Sequence, residues 1–204
     1  MFGGSGFLGH QIVQRLAAGG AEVRVAVRHP ARMSLPRAAG KAGQITAIYA
    51  DVWDELSVGP ALERSDAVIN TVGHYVEHGK ATFEAIHGHG AMHVARAAAL
   101  AGVQRLVHIS GIGADTASAS TYVRARAIGE RLVREQFPEA AILRPSVLFG
   151  PDDAFLNRLA AMARVMPILP LFDNGETRLQ PVYVGDVAEA VAKVLTAPSA
   201  TSPT

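Results

Sequence analysis

The chain reads as an α/β domain built on a doubly wound parallel sheet with helices on both faces. Three observations predict it. Strand-sized apolar runs alternate with helix-sized segments along most of the chain. The strand runs are nearly continuous in apolar residues, as in EVRVAVR (22–28) and AVINTV (67–72), the pattern of strands buried on both faces. A glycine-rich loop, GGSGFLG (3–9), runs directly into a segment of helical period.

Gly6 to Ala18 is the first predicted helix, with Phe7, Leu8, Ile12, Val13 and Leu16 as its apolar set and Gly19-Gly20 as its stop. Residues 22–28 form a β-branched strand, and 45–49 a short strand that ends at Asp51. Residues 54–64 predict a helix weakened by Gly59 and Pro60, 67–72 a strand, and 82–101 one long alanine-rich helix. Then follow a strand at 106–109, a helix at 118–137 with Ser118 and Ser120 as cap residues, and a strand at 141–144 running into Pro145. Beyond Pro151 the texture changes to a helix at 152–166, the proline-broken MPILPLF, a strand at 180–183 and a helix at 185–195. These segments divide into a sheet domain (1–150), a partial C-terminal lobe interleaved with the core (151–196) and a disordered tail (197–204).

Of 204 residues, 49% are hydrophobic and 18% charged, which excludes a disordered chain. A net charge of +1 gives no polybasic surface for nucleic acid. The chain has no cysteine, so disulfides and thiolate metal sites are excluded, and a reducing, cytoplasmic setting fits. No transmembrane span or signal peptide is expected, so any membrane contact is peripheral.

The loop carries Gly4-x-Gly6-x-x-Gly9 and the overlapping Gly3-x-x-Gly6-x-x-Gly9. Glycine permits positive φ in the tight turn, lets backbone N–H groups approach a pyrophosphate, and lets helix and sheet pack closely. The residues it assigns to a dinucleotide are Gly3, Ser5, Gly6, Phe7, Leu8 and Gly9. An acidic residue ending the second strand would bond a ribose 2′-hydroxyl and select NAD(H). Here that place holds Arg28, followed by His29 and Arg32, and a guanidinium suits a 2′-phosphate. NADP(H) is therefore favoured, with NAD(H) the alternative.

Later segments follow in one order: AVINTVG (67–73), LVHISGIGAD (106–115), YVRAR (122–126), ILRPSVLFGP (142–151) and QPVYVGDVAEAV (180–191). With the glycine loop and Asp51-Val52 they resemble the short-chain dehydrogenase/reductase superfamily, in its extended or atypical branch of NAD-dependent epimerase/dehydratase type. More narrowly they look like bacterial relatives of the NADPH-binding accessory subunit of mitochondrial respiratory complex I. The resemblance covers nearly the whole chain, and implies a Rossmann-type sheet of strand order 3-2-1-4-5-6. It implies that Asp51 and Val52 lie by the adenine, and that Asn70, Thr71, Val72 and Gly73 end a strand beneath ribose and pyrophosphate. It also implies that Ser110 sits near the nicotinamide, flanked by Pro145, Ser146 and Val147. Relatives begin with a longer first strand than Met1-Phe2 and carry more chain after the last helix. The first strand is therefore expected to be truncated, from a displaced start or because the sequence is a shortened or partial one, and the C-terminal lobe incomplete.

By the same resemblance Tyr122 is the catalytic tyrosine, which exchanges a proton with the substrate oxygen. The superfamily places lysine four residues on; this chain has Arg126. Spacing of four keeps both on one helix face. Arginine retains the charge, but its fork does not place one ammonium between two ribose hydroxyls. The residue after Ser110, often a second serine in active relatives, is Gly111. The catalytic set is Tyr122, Arg126 and Ser110, with weak or absent turnover expected.

His87, His89 and His93 lack a completing carboxylate spacing, so no metal site is expected. His87 is read as a local hydrogen-bonding residue near the active-site helix, and His74 as a lining residue of the substrate cleft. Met162 to Met166 with Leu169, Leu171 and Phe172 reads first as core between helix and lobe, and alternatively as a lid for a quinone-, sterol- or lipid-like ligand. Two functional classes remain. One is a nucleotide-binding protein whose NADP(H) stabilises a respiratory or inner-membrane-peripheral assembly. The other is an oxidoreductase or epimerase-like enzyme acting on a small or lipid-like hydroxyl or carbonyl substrate.

Overall fold

The structure is a computed structural model that describes residues 1–33, 43–166, 175–176 and 178–197. The predicted MPILPLF stretch beyond Met166, with Leu169, Leu171 and Phe172, lies outside the described residues, as does all of the predicted tail except Ala197.

Helix α1 (Phe7–Ala18) follows the glycine loop and leads to β1 (Val23–Val27) and β2 (Ile45–Tyr49). Helix α2 (Glu55–Ala61), capped by the Asp54 carboxylate on Leu56 N, precedes β3 (Ala67–Asn70). Helix α3 (Ala91–Leu100), β4 (Arg105–Ile109), α4 (Thr121–Gln136) and β5 (Ala141–Leu143) complete the main sheet. Then come β6 (Leu148–Phe149), α5 (Leu156–Val165), β7 (Val182–Tyr183) and α6 (Val184–Thr196), with β6 and β7 paired in parallel.

All pairings in the main sheet are parallel: β1 with β2, β3 with β4, and β4 with β5. The slot between β1 and β3 is held by Met1-Phe2. Phe2 bridges Ala26 on one side and Asn70 on the other. Phe2 N donates to Ile69 O (2.9 Å), Ala26 N to Met1 O (2.8 Å) and Thr71 N to Phe2 O (3.1 Å). Two residues thus do the pairing of the central strand, and Phe2 is 1% exposed. The order is β2-β1-(1–2)-β3-β4-β5, as the resemblance implied.

The period-two alternation of the strands divides the core. Val68 and Leu106 face α2, α3 and α4, where Val58, Val94 and Val133 pack with Phe2. Ile69 and Val107 face α1 and α6, where Leu8, Ile12, Val187 and Val191 pack. Helix α6 thus returns to the sheet, and an Arg15–Glu189 ion pair ties it to α1.

Strand β6 was not among the predicted strands, α4 starts at Thr121 rather than at 118, and two further helices differ more from expectation. The single helix predicted over 82–101 begins as a π-helix, Glu84–Gly90. Gly88 and Gly90 weaken the α preference there, and α4 approaches this segment at Gly129. A Cβ on Gly129 would stand 2.9 Å from the His87 carbonyl carbon and closer still to its oxygen. The helix predicted from 152 starts only at Leu156, because the Asp153 carboxylate accepts from Phe155, Leu156 and Asn157 N and so caps it. Among the described residues α5 buries none of its side chains, and Met166 is 45% exposed.

Candidate functional site

A parallel sheet puts every strand's carboxyl end on one edge. Gly3, Arg28, Asp51, Gly73, Ser110 and Pro145 follow six neighbouring strand positions and all lie along that edge. The chain leaves the central slot toward β1 and β2, then crosses back to β3. The crevice between Met1-Phe2 and β3 is therefore the topological switch point, where open α/β sheets take ligands.

The glycine loop opens there. Gly3 has φ +75°, and a Cβ on it would stand 2.5 Å from Thr71 Oγ1. Gly6 N donates to Gly3 O (3.0 Å), which closes the turn. Gly9 packs on that turn, and a Cβ there would stand 2.8 Å from both Gly3 C and Gly4 Cα. Helix α1 thus begins at the crevice with no side-chain cap and no acidic residue in its first turn, which leaves its positive end to an anion.

A cleft of about 620 Å³ runs from this loop to the start of α5. It is lined by Gly3, Gly6, Phe7, Leu8 and Gly9 from the loop and α1, by Thr71 and Gly73 after β3, by Ser110 after β4, by Tyr122 and Arg126 of α4, and by Pro145, Ser146 and Val147 after β5. Seven other expected residues do not line it, among them Asn70, which is buried beneath, and His74, which packs on Phe83 and His87 instead. Ser5 and Arg28 are exposed, Arg28 just past the end of β1. Asp51 turns its carboxylate to Trp53 N (3.1 Å). Val52 is buried and packs on Gly90. Val72 donates its N–H to Asn70 Oδ1 (3.0 Å).

Arg126 sits in a slot between two glycines. Its Nη1 stands 3.1 Å from where a Gly111 Cβ would be, and its Nη2 3.6 Å from where a Gly73 Cβ would be. Its guanidinium carbon lies 4.9 Å from the centre of the Tyr122 ring, over the ring face. The Tyr122 ring meets Phe83 at 5.3 Å, His87 at 5.3 Å and Tyr75 at 5.6 Å. Burial pushes the Tyr122 phenol up to about 12, with the Arg126 charge opposing and Tyr75 adding to the rise.

His87 is buried, and its Nε2–H donates to His74 O (3.0 Å). Burial, with the Arg126 charge adding, lowers its pKa to about 4, so it is a neutral donor. His74 itself stacks edge-on against Phe83 and His87. His93 bonds Val52 O, and His89 is exposed, so the helix histidines do not converge. Among the described residues no group of three His, Asp or Glu side chains could hold a metal.

Sequence reasoning missed the layer beneath the cleft. His108, buried and lowered to about 4 mainly by burial, accepts from Asn70 Nδ2 (3.3 Å). Glu130 is 3% exposed and takes a bidentate bond from Arg144 at 2.8 and 2.6 Å. Burial raises the Glu130 pKa, but Arg144 outweighs it and holds the carboxyl below its ordinary range. The spacing Tyr122, Arg126, Glu130 was the available signal, since three residues four apart share a helix face.

Arg126 Nε is buried without a hydrogen-bond partner beside the cleft floor, and the buried Ser110 hydroxyl there is within reach of the Glu130 carboxylate. An unpaired buried donor and a cradle that any Cβ would fill fit a bound dinucleotide. In such a site Arg126 and Ser110 would hold the nicotinamide half, and the glycine loop with the start of α1 the pyrophosphate. The dinucleotide, when bound, supplies hydride chemistry.

Fold and site together define a nucleotide-binding protein of the Rossmann type. The chain belongs to the NAD dependent epimerase/dehydratase family, whose model matches residues 1–204. It is similar to the NADH dehydrogenase (ubiquinone) 1 alpha subcomplex subunit 9, mitochondrial, of Mus musculus, at 37% identity over 100% of this chain and 54% of the relative. It is similar also to a ceramide reductase of Caulobacter vibrioides, at 28% identity over 91% of this chain and 57% of the relative. The chain spans about half the length of these relatives. Among solved structures, MoeE5 in complex with UDP-glucose and NAD shares the fold with a TM-score of 0.78, at 21% identity over 98% of this chain and 72% of that one. The chain is thus an atypical short-chain dehydrogenase/reductase-like protein with an NAD(P)-binding fold.

Proposed function

We propose that the chain binds NADP(H) across the switch-point crevice and serves as a cofactor-holding component of a respiratory, membrane-peripheral assembly, with slow or absent turnover. Tyr122 carries this reading. Its phenol is pushed up to about 12, and the cation beside it lies over the ring face. A proton donor works best with a pKa near the working pH, so Tyr122 is poorly matched to acid–base exchange at neutrality. The cofactor preference rests on Arg28, a fixed cation at the end of β1. The assembly rests on likeness to the mitochondrial subunit above. Among the described residues no helix is long and apolar enough to cross a membrane.

Calorimetric titration with NADPH and with NADH tests the cofactor. NADPH should bind at least about tenfold tighter, and Arg28→Ala should erase the difference while leaving NADH affinity unchanged. Equal affinities in the parent would discard the Arg28 assignment.

A second reading, an oxidoreductase or epimerase-like enzyme, is favoured by the convergence of Tyr122, Ser110 and Arg126 on one cleft. In it Tyr122 protonates the substrate oxygen, and the Arg126 charge lowers the cost of its phenolate. NADPH-dependent turnover by the parent chain would establish it. Turnover only in Arg126→Lys would support the cofactor-holding reading.

A further inference from the structure

Outside Tyr122 the cleft is walled by three side chains from three segments. Tyr75 follows β3, Ile112 follows β4 and Phe155 precedes α5. They are 78%, 58% and 40% exposed. Single apolar side chains on a surface are ordinary, but three that converge on one concavity mark a ligand surface. The Tyr75 ring lies 5.6 Å from the Tyr122 ring at a 34° tilt, so wall and floor are continuous.

The charges matter as much. Among the described residues the cleft is lined by two charged side chains, Arg126 and Asp153. Arg126 is wedged at the floor between Gly73 and Gly111. Asp153 is 6% exposed, and its carboxylate accepts from the backbone N–H groups of Gly150, Phe155, Leu156 and Asn157. A nucleotide sugar brings a diphosphate, which needs cations or a cluster of free N–H groups. The outer cleft presents apolar surface there instead. At its inner end, buried Ser110 and Tyr122 both line the cleft.

We propose that the outer cleft binds an apolar carbonyl compound, its oxygen toward Tyr122 and Ser110 and its hydrocarbon chain along Tyr75, Ile112 and Phe155. This deepens the cofactor reading, since the ligand's carbonyl would meet the nicotinamide half of the cleft.

The test is saturation-transfer NMR on the 204-residue chain with 2-nonanone, 2-butanone and UDP-glucose, each with and without saturating NADPH. The longer ketone should bind at least about tenfold tighter than the shorter, because affinity follows buried apolar area, and UDP-glucose should not displace it. Tyr75→Ser with Ile112→Asn, both at exposed positions, should weaken 2-nonanone about tenfold and leave NADPH affinity within about twofold. Binding of UDP-glucose with none of 2-nonanone would overturn the proposal, as would ketone affinity indifferent to chain length or to the double variant. Ketone binding that persists where NADPH does not bind would support this proposal and reject the cofactor reading alone.

Discussion

Serine at position 111 should displace Arg126. A Cβ there would stand 3.1 Å from Nη1 and 3.5 Å from both Cδ and Cζ. Comfortable carbon contacts lie near 3.5–4.0 Å, so the fork must retreat by about half an ångström. Retreat takes it toward Gly73 and off the Tyr122 ring, which it now covers at 4.9 Å. Overpacking of this kind costs about 1–3 kcal/mol, and a half-exposed cation–π contact about 0.5–1 kcal/mol. Because the end of a flexible side chain can yield, Gly111→Ser should cost about 1.5 kcal/mol by urea denaturation. Arg126→Lys alone should cost about 1 kcal/mol by emptying the slot. The double variant should be about as stable as the parent, since serine occupies the space the fork leaves. The cycle would then show about 2.5 kcal/mol of favourable coupling, within the range for residues in contact. Effects that add within about 0.5 kcal/mol would refute the slot and make the two departures from the superfamily pattern independent.

Three further outcomes follow from the same geometry. Gly9→Ala should cost about 3 kcal/mol, the upper end of overpacking, and abolish NADPH binding, because its Cβ meets the Gly3–Gly4 backbone rather than a side chain that can yield; denaturation and calorimetry check both. Arg144→Met should cost about 3 kcal/mol at neutral pH, the low end for breaking a buried pair because Arg144 is half-exposed. Glu130 has a depressed pKa, so this stability is present above its ordinary 4.5 and lost as pH falls through the lower folded value. The gap between parent and variant, measured by urea denaturation at successive pH values, should therefore narrow below about 4.5. Tyr122 has a raised pKa, so the stability of its neutral form is present below 10.0 and lost as pH rises toward about 12. In a near-ultraviolet titration, parent and Tyr122→Phe should ionise alike up to about pH 11, and earlier ionisation of Tyr122 would contradict its burial.

Local chemistry made most of the fold legible. Continuous apolar runs announced β1 and β3 because strands buried on both faces leave no polar side. Ser120 announced a helix start because a side-chain oxygen can take an orphan N–H, and it does so. The start of α5 was misjudged because Asp153, one residue past the predicted start, is the residue whose carboxylate takes the first N–H groups. The π-helical turn was hidden because its signal, the approach of Gly129 to the His87 carbonyl, joins residues 42 apart.

What this sequence determined by itself is whatever a residue owns alone: the glycine turn at 3–9, the strand and helix periods, and a cation rather than a carboxylate at Arg28. The sheet order decided the rest. It put Phe2 between β1 and β3 to complete a central strand of two residues. It set Gly73 and Gly111 on either side of Arg126, and Arg144 on Glu130. Those contacts join segments that no local pattern couples, and only the pairing of parallel strands brings their ends to one edge.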